Sequence, residues 1–144
     1  MFYFEDIELG STRTAGEIQL QEEQMIDFAR EWDPLPFHTD PQAAARSPFG
    51  GLTASGCHIV CVATRLTHLL KPLAVVAGLK QEFEFPNPAR PGDRLSLTSE
   101  CVAKRASKSK PDRGIVTFQC QITNQEGVAV LLMRSTLMLL RRPG

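Results

Sequence analysis

The sequence predicts a single α+β domain, residues 1–144, in which one antiparallel sheet wraps around a long central helix. Hydrophobic residues make up 42% of the 144 residues and charged residues 22%, a balance typical of one globular core. The segment Ser55–Leu70 is predicted to form an apolar helix, with Arg65 as its only formal charge. After Pro72 the apolar residues recur with period two, which predicts strands. A sheet that covers an apolar helix is most compact when it curves around that helix.

The charge balance argues against a nucleic-acid partner, and the short apolar runs argue against a membrane span. Lys plus Arg and Asp plus Glu number 16 each, so the formal net charge is zero, whereas nucleic-acid-binding domains carry a basic excess. No apolar run approaches the ~20 residues of a membrane span. The segment "MFYFEDIELG" has neither the basic start nor the long apolar core of a signal peptide, so we expect a cytoplasmic protein.

The first third of the chain predicts a short strand and an amphipathic helix. "TRTAGEIQL" suits a strand. From Gln21 the apolar residues Met25, Ala29 and Trp32 recur at helical spacing. Pro34 should end this helix near Trp32, because the residue before a proline avoids the α region.

The segment "DPLPFHTDP", Asp33–Pro41, is predicted to be a stiff non-helical loop because it contains three prolines. "PQAAAR" should then form a short helix with Asp40 as its N-cap and Pro41 at its first position. Thr53 or Ser55 is expected to cap the central helix.

Four strands in meander order are predicted for the second half. Their sequences are "VVAGLKQEFEF", "DRLSLTSECVAK", "GIVTFQCQIT" and "VAVLLMRSTLMLL", separated by "PGD", the basic loop Arg105–Arg113 and "NQEG". The last strand, Val128–Leu140, is the most apolar and should not leave an open sheet edge in water. We therefore expect a homodimer or a dimer of dimers.

The four cysteines allow two interpretations. Cys57 and Cys61 stand four residues apart with His58 between them, a spacing that can bind zinc. No second closely spaced ligand pair follows, and free cysteines are usually buried thiols. We expect no metal, no disulfide, and Cys57 and Cys61 facing the packed interior.

The segment Phe28–His58, "FAREWDPLPFHTDPQAAARSPFGGLTASGCH", resembles the MaoC-like (R)-specific enoyl-CoA hydratases, which have the hot-dog fold. Their motif D-x-N-P-x-H is matched at Asp33, Pro36 and His38, and their later pieces at Phe49-Gly50, Ser55-Gly56 and the downstream "PGD". The chain departs from the motif at Leu35, where the family has asparagine, and at Ser55, where a histidine is frequent.

The resemblance implies a hydratase or dehydratase acting on a 2-enoyl thioester of coenzyme A or an acyl carrier protein, without a cofactor. Asp33 and His38 would hold one water and move its protons. The backbone N–H of Gly56, in the first turn of the central helix, would stabilise the oxyanion. The substrate would also contact Ser55, Phe49 and Trp32.

Each of these residues has a plainer interpretation. Asp33 could cap a turn and His38 could be a packed polar residue. Trp32 fits a core position, and Ser55 fits an N-cap better than a nucleophile because no G-x-S-x-G surrounds it. Asp40 fits an N-cap, while His58 and His68 fit structural positions. The loop Arg105–Arg113 either meets coenzyme A phosphates or is simply solvated.

Two rival functions remain open. Hot-dog thioesterases often carry a catalytic carboxylate on or near the central helix, but Ser55–Leu70 contains no Asp or Glu. A non-catalytic acyl-binding or assembly subunit is favoured by Leu35 in place of the motif asparagine.

Overall fold

A computed structural model describes residues 1–144 and contains one five-stranded antiparallel sheet and four α-helices. A 3-10 turn at Phe4–Asp6 precedes them. The strands are β1 (Thr12–Gln19), β2 (Val75–Glu84), β3 (Arg94–Ala106), β4 (Arg113–Thr123) and β5 (Ala129–Leu140). The helices are α1 (Glu22–Trp32), α2 (Pro36–Thr39), α3 (Pro41–Ala45) and α4 (Gly56–Thr67). The helix α4 packs against β1, β3 and β5, which confirms the predicted α+β hot-dog fold.

The strand order is β1-β3-β4-β5-β2, which corrects the predicted meander. The strands β3, β4 and β5 do follow one another, but β2 pairs with β5 rather than with β3. The connection Phe85–Asp93 contains three prolines and is too long for a tight hairpin, so the chain crosses to the other edge of the sheet. The apolar strand β5 therefore lies inside the sheet, and the open edges belong to β1 and β2.

The hydrophobic core lies between α4 and the concave face of the sheet. The helix contributes Ile59, Val62, Ala63 and Leu66, spaced by three and four residues. The sheet contributes the positions predicted to face inward, including Leu95, Leu97, Cys101, Val116, Phe118, Cys120 and Ile122. The opposite face of α4 carries the exposed residues Cys57, Cys61, Thr64 and Arg65.

The prediction for two of the cysteines is also wrong. Cys57 and Cys61 are exposed, whereas Cys101 and Cys120 are buried. Each exposed cysteine precedes an inward residue, Ile59 or Ala63, by two positions. Two residues correspond to about 200° around an α-helix, which places both thiols on the outer face.

Two local features differ from the sequence-based expectation. The segment after Asp33 is not irregular throughout, because Pro36–Thr39 forms one helical turn that a proline at its first position permits. The helix α3 begins as predicted, with the Asp40 carboxylate accepting hydrogen bonds from the N–H groups of Gln42 and Ala43. No helix of the structure is both long and apolar enough to span a bilayer.

Candidate active site

Two hydrogen bonds, one between backbone groups and one from a side chain to the backbone, hold α2 against the segment before α4. The N–H of Thr53 donates to the carbonyl of Phe37 at 3.1 Å. In return, Nδ1 of His38 lies 2.7 Å from the carbonyl oxygen of Thr53. Thr53 and His38 are both buried, at 3% and 7% exposure, so water does not compete for these bonds. The histidine ring is thereby fixed in position and orientation.

The same contact fixes the tautomer of His38. A carbonyl oxygen only accepts hydrogen bonds, so Nδ1 must carry the proton. In the neutral ring, Nε2 is then an acceptor. It lies 3.5 Å from Oδ2 of Asp33, the C-cap residue of α1. Two acceptors that face each other at this distance repel unless a proton lies between them, so together they present a site for a donor such as water.

Ser55 orients the Asp33 carboxylate. Its hydroxyl donates to Oδ2 of Asp33 at 2.7 Å, and its side chain is fully buried. Ser55 occupies the N-cap position of α4, as expected. Its side chain, however, makes no capping hydrogen bond to the helix, so that part of the expectation is wrong. Its hydroxyl is committed to Asp33 instead. Ser55 therefore acts on the carboxylate and has no exposed surface for a ligand in this structure.

The first turn of α4 supplies unpaired backbone donors. The N–H of Gly56 has no hydrogen-bond acceptor within the chain, as expected for the first position of a helix. A Cβ at Gly56 would lie 3.0 Å from two ring atoms of Phe85, which is closer than ordinary contact. Glycine thus lets the aromatic ring pack directly over the helix start, where the helix dipole favours a negatively charged ligand.

A cavity of about 380 Å³ opens beside this helix start. His38 and Gly56 both line it, and its walls are mainly apolar, with Phe37, Phe49 and Phe85 among them. A volume of this size is typical of small-ligand sites. The predicted substrate-contact residue Phe49 thus lies at the cavity. Its carbonyl accepts a 2.6 Å hydrogen bond from Nη2 of Arg90, whose Nη1 donates to Gly51.

The remaining predicted site residues lie outside this cavity. Asp33 and Ser55 do not line it in this chain, although Oδ2 of Asp33 lies 3.5 Å from Nε2 of His38, which does. Trp32 is 67% exposed, so its assignment to the core is wrong, and it does not line the cavity. Trp32 is the last residue of α1. The contact between α1 and α4 lies one turn earlier, where the rings of Phe28 and His58 stack at 4.7 Å.

Other polar residues fill structural roles or lie elsewhere. His58 is half-buried, and burial lowers the pKa of its imidazole below the usual value. Arg113 in the basic loop pairs with its neighbour Asp112. This loop connects the far ends of β3 and β4. It is about 40 Å along β3 from the end that lies near the cavity, at ~3.3 Å per residue.

Sequence reasoning missed three contributors to the site. Thr53 positions His38 through its backbone, Arg90 supports Phe49, and Phe85 covers Gly56. A side-chain pattern gives no signal for a contact made by a backbone carbonyl. The predicted turn "PGD" did give a signal nearby, since its Asp93 is buried and accepts a hydrogen bond from the N–H of Arg90 at 2.8 Å.

The chain is similar to known proteins over most of its length. The family model described as "MaoC like domain" matches residues 7–120. A crystal structure of a MaoC-like dehydratase from Rhodospirillum rubrum is 37% identical, with full coverage of both chains and a TM-score of 0.93. The 3-hydroxybutyryl-CoA dehydratase of Methylorubrum extorquens is 31% identical over 101 residues, which is 69% of this chain and 64% of that protein.

A more distant structure supports the fold alone. A Mycobacterium tuberculosis protein described as having a double hot-dog fold is 22% identical. Its TM-score is 0.81 over 99% of this chain and 45% of that one. Because the family model spans most of the sequence and the Rhodospirillum structure matches it end to end, the chain belongs to the family of MaoC-like domain proteins.

Proposed function

We propose that the protein is a hydratase/dehydratase that adds water reversibly across the double bond of a 2-enoyl thioester. The observation that carries the proposal is the approach of Nε2 of His38 to Oδ2 of Asp33, at 3.5 Å, with His38 lining the apolar cavity. A water bound there can donate one hydrogen to each acceptor. Its oxygen lone pair is then free to attack a substrate carbon.

The reaction follows from the chemistry of these groups. As the water oxygen bonds to C3 of the enoyl group, Asp33 accepts a proton, and the electrons of the double bond move onto the thioester carbonyl. The N–H of Gly56 stabilises the resulting oxyanion. A proton is then delivered to C2 from the same pair, so the net change is the addition of one water. The reverse sequence is dehydration.

The Ser55 hydroxyl supports this assignment of the base. A hydrogen bond at 2.7 Å to the carboxylate fixes its orientation. The substrate would be an acyl-CoA or an acyl carrier thioester, with its acyl chain in the cavity between Phe37, Phe49 and Phe85.

We further propose that the protein is a homodimer joined through β2. This edge strand is exposed along most of its length on both faces and presents Val75, Val76 and Leu79 to solvent. Pairing two copies of β2 would satisfy the open backbone groups of both edges. It would also bring a second copy towards the uncovered face of α4, which carries Cys57 and Cys61.

A thioesterase is the second candidate, and the structure offers it less support. The helix α4 contains no carboxylate, and the only one near the helix start is Asp33, held by Ser55. Crotonyl-CoA separates the candidates, because hydration removes the enoyl absorbance whereas thioester hydrolysis releases a free thiol. We expect loss of enoyl absorbance without thiol release, and an Asp33→Asn variant without activity. Thiol release would overturn the hydratase proposal, and no reaction of any enoyl thioester would favour a non-catalytic subunit.

A further inference from the structure

The loop between α3 and α4 forms one wall of the cavity at His38. Its residue Phe49 lines that cavity and packs against Phe37, with the two ring centroids 5.2 Å apart. The Phe37 ring in turn meets the His38 imidazole edge-on, at 4.5 Å. The place of the Phe49 ring therefore decides how much apolar surface the cavity offers beside His38.

Few hydrogen bonds of this loop reach beyond it. The N–H groups of Phe49 and Gly50 both donate to Ser47, to its side-chain and its backbone oxygen respectively. These bonds shape the turn, in which Gly50 has a φ of 67°, but they do not join the loop to the sheet. The only hydrogen bonds from residues 48–52 to a distant part of the chain come from Arg90. Its Nη2 donates to the carbonyl of Phe49 at 2.6 Å, and its Nη1 donates to the carbonyl of Gly51 at 3.1 Å.

Arg90 is itself anchored in a hydrogen-bonded turn before β3. Its backbone N–H donates to Oδ2 of Asp93 at 2.8 Å, and Nε2 of Gln125 donates to the other oxygen of that carboxylate at 3.1 Å. Asp93 is buried, so water competes little for these two bonds. The neighbouring carbonyl of Ala89 accepts from the N–H of Ala54, which ties the turn to the segment before α4. The guanidinium thus reaches the loop from a fixed base.

The Arg90 guanidinium forms no ion pair with a carboxylate and does not line the cavity. Its planar fork can donate to two carbonyls at once, which the compact ammonium of a lysine cannot do in the same geometry. We propose that Arg90 is a positioning residue, which holds Phe49 as a wall of the cavity at His38 and so raises the affinity for the acyl thioester without touching it. This inference rests on the proposed function, because it takes that cavity to be the thioester site.

The chemical step should depend little on Arg90. His38 keeps its own anchor, since its Nδ1 bonds to the carbonyl of Thr53. Loss of Arg90 should therefore weaken binding of the substrate and leave the rate of the bound complex nearly unchanged.

Calorimetric titration of the full-length protein with butyryl-CoA, the saturated analogue of crotonyl-CoA, tests this role. We expect Arg90→Met to raise the Kd by roughly three- to tenfold, the effect of losing one aromatic contact. Arg90→Lys should restore only part of the affinity, because it cannot hold both carbonyls. In a Phe49→Ala background, Arg90→Met should have no further effect, since Arg90 acts through that ring. The control Arg94→Met removes an exposed arginine that pairs with Glu17 and should leave the Kd unchanged.

Two further measurements separate positioning from a general loss of stability. In steady-state hydration of crotonyl-CoA, Arg90→Met should raise KM while kcat stays within about twofold of wild type. Amide hydrogen exchange at Gly50 and Gly51 should become faster in Arg90→Met, whereas exchange in the core strands β3 and β4 should not change.

Several results would overturn the proposal. These are an unchanged Kd in Arg90→Met, an affinity in Arg90→Lys equal to that of wild type, and unchanged exchange at Gly50 and Gly51. Losses that multiply in the double variant would show that Arg90 contacts coenzyme A directly and does not act through Phe49. A wild-type protein that binds butyryl-CoA but does not hydrate crotonyl-CoA would contradict the proposed function and not this role of Arg90.

Discussion

Removing the Ser55 hydroxyl should lower catalysis by a calculable amount. The substitution Ser55→Ala deletes the donor that lies 2.7 Å from Oδ2 of Asp33 and leaves the backbone of α4 in place. Hydrogen bonds to charged groups contribute about 1.5–3 kcal/mol. The Asp33 side chain is 29% exposed, so water can replace part of the lost donor, and the lower end of this range applies. A loss of about 1.5 kcal/mol corresponds to roughly a tenfold fall in rate.

The fall should appear in kcat, because the hydroxyl orients the base and does not touch the substrate. The assay is steady-state hydration of crotonyl-CoA, with a melting curve for each variant. Ser11→Ala is the control, since its hydroxyl makes an equally short bond, 2.6 Å to the carbonyl of Glu8, outside the site. If Ser55→Ala keeps a kcat within about twofold of wild type, or if the control loses as much, the positioning role is refuted.

Three other changes have defined outcomes. Leu35 is exposed at the N-cap position of α2, where its side chain makes no capping hydrogen bond. Leu35→Asn should therefore preserve or raise the rate of crotonyl-CoA hydration, and should raise the free energy of unfolding by about 0.5–1 kcal/mol, as measured by kinetics and denaturation. A fall in both quantities would contradict this. Leu79→Lys on the open β2 edge should give a monomer by light scattering if β2 joins the subunits, and an unchanged dimer would rule out that interface. Burial lowers the pKa of His58 in the folded chain. Below about pH 6.5 the unfolded chain therefore protonates this histidine more readily than the folded chain does, and the free energy of unfolding falls as the pH drops. His58→Gln should therefore reduce the drop in melting temperature from about pH 7.5 to about pH 5.5, and an unaltered drop would assign it to other groups.

Local patterns determined most of what the sequence could predict about the fold. The inward residues of β3 as far as Cys101, and those of β4, recur at every second position, so their burial followed from periodicity. The strand order could not be predicted in this way, because the pairing of β2 with β5 depends on the path of the long connection between β2 and β3. The helix α4 is apolar on most sides in sequence, so its periodicity could not identify Cys57 and Cys61 as outward residues.

The candidate site shows the same division. Asp33, His38 and Gly56 were found because they match a motif with known spacing. The hydrogen bond from Ser55 to Asp33 joins residues that are 22 positions apart, and the carbonyl that fixes His38 is 15 positions away. Such contacts depend on how α1, α2 and α4 meet. The structure also gives a physical reason for the motif asparagine, because its position, occupied here by Leu35, is a helix N-cap.

The most direct test of the account is a double-mutant cycle on Asp33 and His38, read as kcat for hydration of crotonyl-CoA. If the two side chains hold one water, Asp33→Asn and His38→Gln should each remove most of the activity with little change in KM. The double variant should then be little slower than either single variant, since the groups act as a unit. Multiplicative losses, or single variants that retain the wild-type kcat, would contradict a shared catalytic water at this site.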